Sequence, residues 1–250
     1  MRVSNSLRRV DLEENVVGFC YDLDRSLFIN ASLDHGPLLV GLDTNVLIDL
    51  AEHGEAAFDK SELPESVREP HVSELASLAA LIELWLVRDI RFIPLNRSLT
   101  DTGRGISADR MARRVATMQS LSESLAHLSG EWALDDLAPM DEAHVQLARY
   151  IDPALIPGVA DRELVQESCR LGLDVFLTRD VRVVKASGLP QGWPTIESPK
   201  SLVARLTALG VEGFRGGMLN HPNCAYASIH LFPSMDKWAG LLSALGSASN

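Results

Sequence analysis

Apolar and polar positions follow one another along this chain in blocks that predict strands and helices in turn. Residues 38 to 42 form an apolar run of strand length, and the segment that begins at Thr44 has apolar residues at helical spacing. Helical spacing returns over residues 71 to 87, and strand-like runs stand at residues 91 to 95 and 174 to 178. Strands that alternate with helices across short connections are joined by right-handed parallel crossovers. The pattern therefore predicts an α/β fold with a mostly parallel sheet.

The two ends of the chain differ from this central pattern. Residues 1 to 37 contain two strand-like runs, 16 to 21 and 26 to 29, whose polar connection predicts a hairpin. In residues 201 to 250, glycines and prolines interrupt any long element. We therefore expect an N-terminal hairpin-like extension, a central domain over residues 38 to 200, and a C-terminal extension.

Composition and charge narrow the class of protein. The 250 residues are 46% hydrophobic and 23% charged, which are globular values for one large domain or one ordinary domain with extensions. The chain has no apolar run of membrane-spanning length and no apolar leader near Met1, so we expect no membrane partner and a cytoplasmic location. Cys20, Cys169 and Cys224 are isolated, which favours reduced buried thiols. The formal net charge of -11 argues against a general polyanion binder but allows a local basic face.

Carboxylates stand where two of the predicted strands end. Asp43 follows the first strand, Asp180 follows the strand that ends at Thr178, and Asp161 begins a helix expected at the same edge. An isolated aspartate at a strand end more often caps the next helix, but the carboxyl ends of parallel strands meet at one ligand-binding edge. Carboxylates that converge there repel one another unless a cation neutralises them. A hard divalent ion such as Mg²⁺ or Mn²⁺ suits such oxygen ligands.

The spacing of these motifs resembles that of PIN-domain nucleases over about residues 38 to 200. The matching motifs are Leu-Asp43-Thr44-Asn45-Val-Leu-Ile-Asp, then Asp161 before a helix, then Gly-Leu-Asp174-Val-Phe-Leu-Thr178-Arg-Asp180. The resemblance implies a three-layer α/β/α fold with a central, mostly parallel sheet, plus the N- and C-terminal extensions. It also implies a divalent-metal-dependent endoribonuclease, of toxin or RNA-processing type, that hydrolyses RNA phosphodiester bonds with Mg²⁺ or Mn²⁺.

Carried over position by position, the resemblance gives roles to the residues at the predicted edge. Asp43 is the first acid, Asp161 the third and Asp180 the fourth, and these three would hold the metal. Asn45 and Thr178 would be polar supports beside them.

The second acid of the implied set stays open. Asp101 holds roughly its place after the second strand, although it is one methylene shorter than the usual glutamate. Glu74 and Glu83, on the preceding helix, are the alternatives, and a solvated helix face is the simpler interpretation of both.

Arginines supply the candidate contacts to substrate. Arg104, Arg110, Arg113 and Arg114 make the densest positive patch, which is equally well explained by a solvated helix face. From this patch Arg104, Arg113 and Arg114 are candidate RNA contacts, together with Arg179 in the last motif. An RNA substrate is expected, and an antitoxin, another protein partner or a homo-oligomer remains open.

Two other functions compete with the nuclease. The first is a PIN-like scaffold that binds RNA or a protein without cutting. The second is an aspartate-nucleophile phosphatase, because the segment around Asp22 and Asp24 resembles the nucleophile motif of haloacid-dehalogenase-type enzymes. A hairpin turn is the preferred interpretation of that segment.

Overall fold

The computed structural model describes about half of the chain in detail, with most of it between residues 38 and 208. The described residues are 19–20, 27, 35–36, 38–58, 62–87, 90–100, 107–109, 111–112, 114–116, 119, 142–186 and 189–208. The strands are β1 (Phe19–Cys20), β2 (His35–Gly36), β3 (Leu38–Leu42), β4 (Ile90–Pro94), β5 (Val175–Leu177) and β6 (Thr195–Glu197). The helices are α1 (Thr44–Phe58), α2 (His71–Val87), α3 (Asn96–Thr100), α4 (Glu142–Leu147), α5 (Val159–Arg170), α6 (Val181–Val184) and α7 (Pro199–Ala208). Further helical residues occur between 108 and 119.

A four-stranded sheet in the order β4-β3-β5-β6 organises the central part of the chain. All three of its described strand pairings are parallel, with Leu38 opposite Ile90 and Val40 opposite Val175 in the two pairings of β3. Every residue of β3 is buried, as expected for a continuous apolar strand inside a parallel sheet. The α/β prediction is therefore confirmed, with helices following each of the four strands.

Helices contact the sheet through two sets of large side chains. The ring of Trp85 on α2 lies 6.4 Å from that of Phe92 on β4, between ring centroids. Another buried cluster joins Leu39 of β3 and Phe176 of β5 to Leu164 of α5. Because Leu39 and its neighbour Val40, which pairs with Phe92, point to opposite faces of the strand, helices lie against both faces.

A glycine in β3 permits the close approach of α5. A Cβ atom at Gly41 would lie 2.8 Å from Leu173 Cδ1 and 2.9 Å from Ser168 Oγ. Both neighbours are completely buried, so they have little room to move away. Glycine at this position therefore fixes how tightly β3 packs beneath the segment that ends α5.

The structure differs from the sequence prediction at the end of α1, and it describes only part of the predicted N-terminal hairpin. Gly54 predicts the end of α1, but the helix continues to Phe58, because α1 packs along α2 and tertiary contacts outweigh the roughly 1 kcal/mol cost of an internal glycine. At the N-terminal end, β1 pairs antiparallel with β2. The run 26 to 29 that was expected to pair with it lies, apart from Leu27, outside the described residues.

None of the helices in the described part of the chain has the length and apolar character needed to cross a membrane.

Candidate acidic site at the carboxyl edge of the sheet

The strand order creates a switch point between β3 and β5. From β3 the chain first crosses to β4 on one side and later returns to β5 on the other. Ligands of open α/β sheets bind beyond the carboxyl ends of the strands at such a point. Asp43 directly follows β3 and Thr178 directly follows β5, and the Asp43 amide donates a 3.0 Å hydrogen bond to the Leu177 carbonyl. The topology thus brings these two motifs side by side.

Asp43 is a buried carboxylate that has only neutral hydrogen-bond donors among its described contacts. The residue is 5% exposed. Its Oδ1 accepts from the Thr44 amide at 2.6 Å, and its Oδ2 accepts from Asn45 Nδ2 at 2.5 Å and from Thr178 Oγ1 at 2.6 Å. The pKa of Asp43 is raised to about 6, chiefly by burial and in smaller part by the charges of Asp161 and Asp180, while the hydrogen bonds from Thr178 and Thr44 oppose the rise. The site is therefore deficient in positive charge.

Asp161 belongs to the same electrostatic cluster. It lies in the first turn of α5, where burial and the charge of Asp180 raise its pKa while Arg182 and Arg162 lower it. Its carboxylate folds back towards Gly158, where a side chain would collide with it. Asp161 therefore adds a second partly buried negative charge beside Asp43.

Asp180 differs because it has a cationic partner. It caps α6 by accepting a 2.8 Å hydrogen bond from the Arg182 amide, and the Arg182 guanidinium donates to both of its oxygens at 3.1 and 2.5 Å. These contacts lower the pKa of Asp180. The Arg182 side chain is 81% exposed, so this pair is held weakly in water. The Arg182 guanidinium is therefore bound to the Asp180 carboxylate, which a bound cation would need as a ligand.

The three acids fit a hard divalent cation by donor chemistry, although they are not gathered around a common point. Across the residues that the structure describes, no three His, Cys, Asp or Glu side chains are arranged as a ready metal-binding cluster. The reason lies in the contacts above, since Asp180 is turned to Arg182 and Asp161 to Gly158. Their mutual repulsion with buried Asp43 is nevertheless what a cation with oxygen ligands relieves.

The two predicted supporting residues contact Asp43 and each other. Asn45 Nδ2 lies 3.2 Å from Thr178 Oγ1, and Asn45 Oδ1 accepts a 2.9 Å bond from the Arg179 amide. Thr178 Oγ1 also accepts a 3.0 Å bond from the Asp180 amide. The first residues of α1 are thereby tied to the turn after β5.

The candidates for the second acid have separate positions. Asp101 lies outside the described residues. Glu74 accepts from Ser198 Oγ at 3.1 Å and from the Lys200 amide at 2.9 Å, so it satisfies the start of α7. Glu83 lies near the end of α2 that leads into the amino end of β4, which places it towards the opposite edge of the sheet. Glu74 is thus engaged in capping, and Glu83 is remote from Asp43.

The structure describes two of the four arginines that are proposed to bind substrate. Arg104 and Arg113 lie outside the described residues. Arg114 pairs with Glu52 of α1 and its side chain is 13% exposed, while Arg179 pairs with Asp49 of α1 at 2.8 Å. A substrate phosphate would have to compete with these carboxylates for either guanidinium.

Sequence reasoning gave no role to Asp49, which the structure places beside the site. Asp49 is 4% exposed, and its carboxylate contacts both Arg179 and His71. The signal available in the sequence was its spacing, because a residue four positions after Asn45 lies on the same side of a helix.

Comparisons with family models, with curated proteins and with solved structures find no match for this chain.

Proposed function

We propose that this protein is a PIN-like, divalent-metal-dependent endoribonuclease of three-layer α/β/α architecture, with its active site at the carboxyl edge of β3 and β5. One observation carries the proposal. A buried acid at the switch point of a parallel sheet has neutral donors, a pKa of about 6, and two further acids close enough to raise that pKa. Such an arrangement costs stability in the free protein and is relieved by a cation.

In this proposal Asp43, Asp161 and Asp180 hold Mg²⁺ or Mn²⁺. When bound, the ion supplies neutralisation of phosphate charge and activation of a water molecule for hydrolysis. Asn45 and Thr178 hold one oxygen of Asp43 by hydrogen bonds of 2.5 and 2.6 Å, which leaves the direction of this carboxylate fixed before an ion arrives. The fixed direction reduces the rearrangement that binding requires.

Arg182 is the described arginine best placed to meet substrate. Its exposed guanidinium lies on Asp180 and its charge lowers the pKa of Asp161. With Asp180 engaged as a metal ligand, this guanidinium would be free beside the site and could contact a phosphate without reading the base. Arg104, Arg113 and Arg114 remain proposed substrate contacts, and Asp101 remains the proposed second acid.

The test is cleavage of RNA by the purified full chain with and without Mn²⁺, with mapping of the cleaved ends. We expect metal-dependent internal cleavage, which Asp43→Asn abolishes because the amide cannot supply the negative charge that the ion requires. Circular dichroism checks that the variant is folded. Arg205→Gln is the matched control, since it alters an ion pair with Glu197 at the end of β6 and should leave cleavage intact. Cleavage that persists in a folded Asp43→Asn protein would refute the proposal.

A PIN-like scaffold that binds RNA or protein without cutting is the second candidate. It is favoured by the dispersed acids, because Asp180 already has a guanidinium partner in the described structure. Mn²⁺ separates the two functions, since an active site should bind the ion and raise the melting temperature while a scaffold should show neither effect.

The phosphatase alternative depends on Asp22 and Asp24, which lie outside the described residues. Phosphate release from a generic phosphomonoester tests it directly. A cytoplasmic location, an antitoxin or other protein partner, and a homo-oligomer are further proposals that accompany the nuclease. Size-exclusion chromatography with light scattering tests the last of these.

A further inference from the structure

Two side chains on one face of α1 bind the turn that follows β5. Asn45 and Asp49 are four residues apart, so they lie one above the other on the helix. Asn45 accepts from the backbone amide of Arg179 at 2.9 Å, and Asp49 accepts from its guanidinium. A single residue of the turn is thus held at both its main chain and its side chain.

The Asp49 contact has the geometry of a specific ion pair. Arg179 Nε lies 2.8 Å from Asp49 Oδ2, and Arg179 Nη2 lies 3.3 Å from Oδ1. Two parallel hydrogen bonds of this kind fix orientation as well as distance. His71 Nε2 lies 2.9 Å from Asp49 Oδ1, which joins the start of α2 to the same carboxylate. The Asp49 side chain is only 5% exposed and that of Arg179 is 33% exposed, so the pair is shielded from solvent on its carboxylate side.

The residue held in this way stands between two residues of the acidic site. Thr178 donates to Asp43 at 2.6 Å, and Asp180 shares the electrostatic cluster with Asp43 and Asp161. Any rotation of the Arg179 backbone would move the Thr178 hydroxyl and the Asp180 carboxylate together. Asn45 and Asp49, which we call the α1 clamp, therefore help to set the positions of Thr178 and Asp180.

We infer that Asp49 and Arg179 are positioning residues that hold the turn carrying Thr178, which contacts Asp43, and Asp180, which lies next to it, in place for cation binding. This role replaces a direct contact of Arg179 with substrate, because its guanidinium is already committed to a buried carboxylate. The inference rests on the proposed metal-dependent function and gives a role to Asp49, to which the sequence motifs assigned none.

Mn²⁺ affinity of the full chain, measured by electron paramagnetic resonance, tests the inference without reference to activity. We expect Asp49→Asn and Arg179→Met to weaken Mn²⁺ binding about tenfold or more, as is usual when groups that orient metal ligands are removed. Arg179→Lys keeps the charge but loses the two-point contact, so we expect an intermediate loss. If Asp49→Asn or Arg179→Met does not fold, the lysine variant still decides the outcome.

Arg205→Met is the control for a structural effect alone. Its ion pair with Glu197 has the same 2.8 Å length, and its side chain is 22% exposed compared with 33% for Arg179. We expect this control to lower the melting temperature while leaving Mn²⁺ affinity unchanged. Equal Mn²⁺ affinity in the control and in a folded Arg179 variant would overturn the positioning role.

The remaining outcomes are also decisive. Arg179→Lys or Arg179→Met that leaves Mn²⁺ affinity intact but reduces the salt dependence of RNA binding, by about one unit of slope, would show a phosphate contact instead. Wild-type protein that binds no Mn²⁺ would overturn both the proposed function and this inference. Wild-type binding with unaltered variants would overturn the inference alone.

Discussion

Asp43 and Asp49 are equally buried carboxylates only six residues apart, yet their surroundings are opposite. Asp43 is 5% exposed and accepts hydrogen bonds from an amide, a carboxamide and a hydroxyl. Asp49 is 4% exposed and has the guanidinium of Arg179 and the imidazole of His71. The first therefore retains an unbalanced negative charge, whereas the second carries its counter-ion within the fold.

The difference shows that two buried acids close together in sequence can have opposite electrostatic surroundings. A buried charge with a built-in partner fixes the neighbouring turn, and a buried charge without one is available to an ion from solution. Asp43 stands just before the first residue of α1, and Asp49 lies in its second turn. Changes to either one should thus have effects of different kind, and the following predictions separate them from the largest expected effect to the smallest.

Removal of the Arg179 guanidinium, which pairs with Asp49, should have the largest effect on stability. We expect Arg179→Met to lower the free energy of unfolding by about 4 kcal/mol, because a buried carboxylate loses its charged partner. Urea denaturation of the metal-free protein measures the change. Arg205→Met should cost clearly less, and equal losses in the two variants would remove the contrast between Asp49 and an ordinary ion pair.

The pH dependence of stability should reveal Asp43. Its pKa rises on folding from 3.8 to about 6, so the folded state binds the proton more tightly. The metal-free protein should therefore lose up to about 3 kcal/mol through this group as pH rises from 4 to above 6. Asp180, whose pKa is lowered, contributes in the opposite direction at lower pH.

The difference between wild-type protein and Asp43→Asn isolates the Asp43 contribution. Urea denaturation across this pH range should show a shallower decline in the variant, and added Mn²⁺ should remove the decline in the wild type. Parallel pH profiles for the two proteins would mean that the carboxylate is not desolvated as described.

Glu74 provides a carboxylate that accepts hydrogen bonds at the start of α7. We expect Glu74→Ala to cost about 1 kcal/mol, because α7 loses the acceptor for its Lys200 amide. Mn²⁺ affinity should not change, as measured by the same resonance assay. A large loss of affinity would instead return Glu74 to the position of the second acid.

Substitution of Arg182 should have the smallest effect, and it should raise the affinity for Mn²⁺ where the other variants lower it or leave it unchanged. Its guanidinium competes with a cation for Asp180, so Arg182→Gln should strengthen Mn²⁺ binding by roughly a few-fold. The same variant should weaken RNA binding, because a phosphate contact is lost. Titration calorimetry measures the first effect and filter binding the second, and weaker Mn²⁺ binding in the variant would contradict this account.

The parts of the fold that sequence could predict are those in which local pattern and topology agree. The apolar runs at β3 and β5 and the carboxylates that follow them required only strand length and the rules of parallel crossovers. The same rules place Asp43 and Asp180 at one edge of the sheet. The charge of Asp180 makes a small contribution to the raised pKa of Asp43, after that of burial.

The partners of individual side chains could not be predicted, because they join distant parts of the chain. Arg179 and Asp49 are separated by 130 positions, and Glu74 and Lys200 by 126. Each of these charged residues looks like a solvated surface group when it is considered with its sequence neighbours alone. Only the packing of α1 and α2 against the strand ends assigns them to a clamp and a cap.

Gly41 has a consequence for how the site tolerates change. It lies two residues before Asp43 in the same strand, pressed against Leu173 and Ser168 with no space for a methyl group. A larger residue at this position would push β3 away from the segment that ends α5 and displace Asp43 with it. The absence of a side chain at position 41 thus helps to set where the Asp43 carboxylate lies.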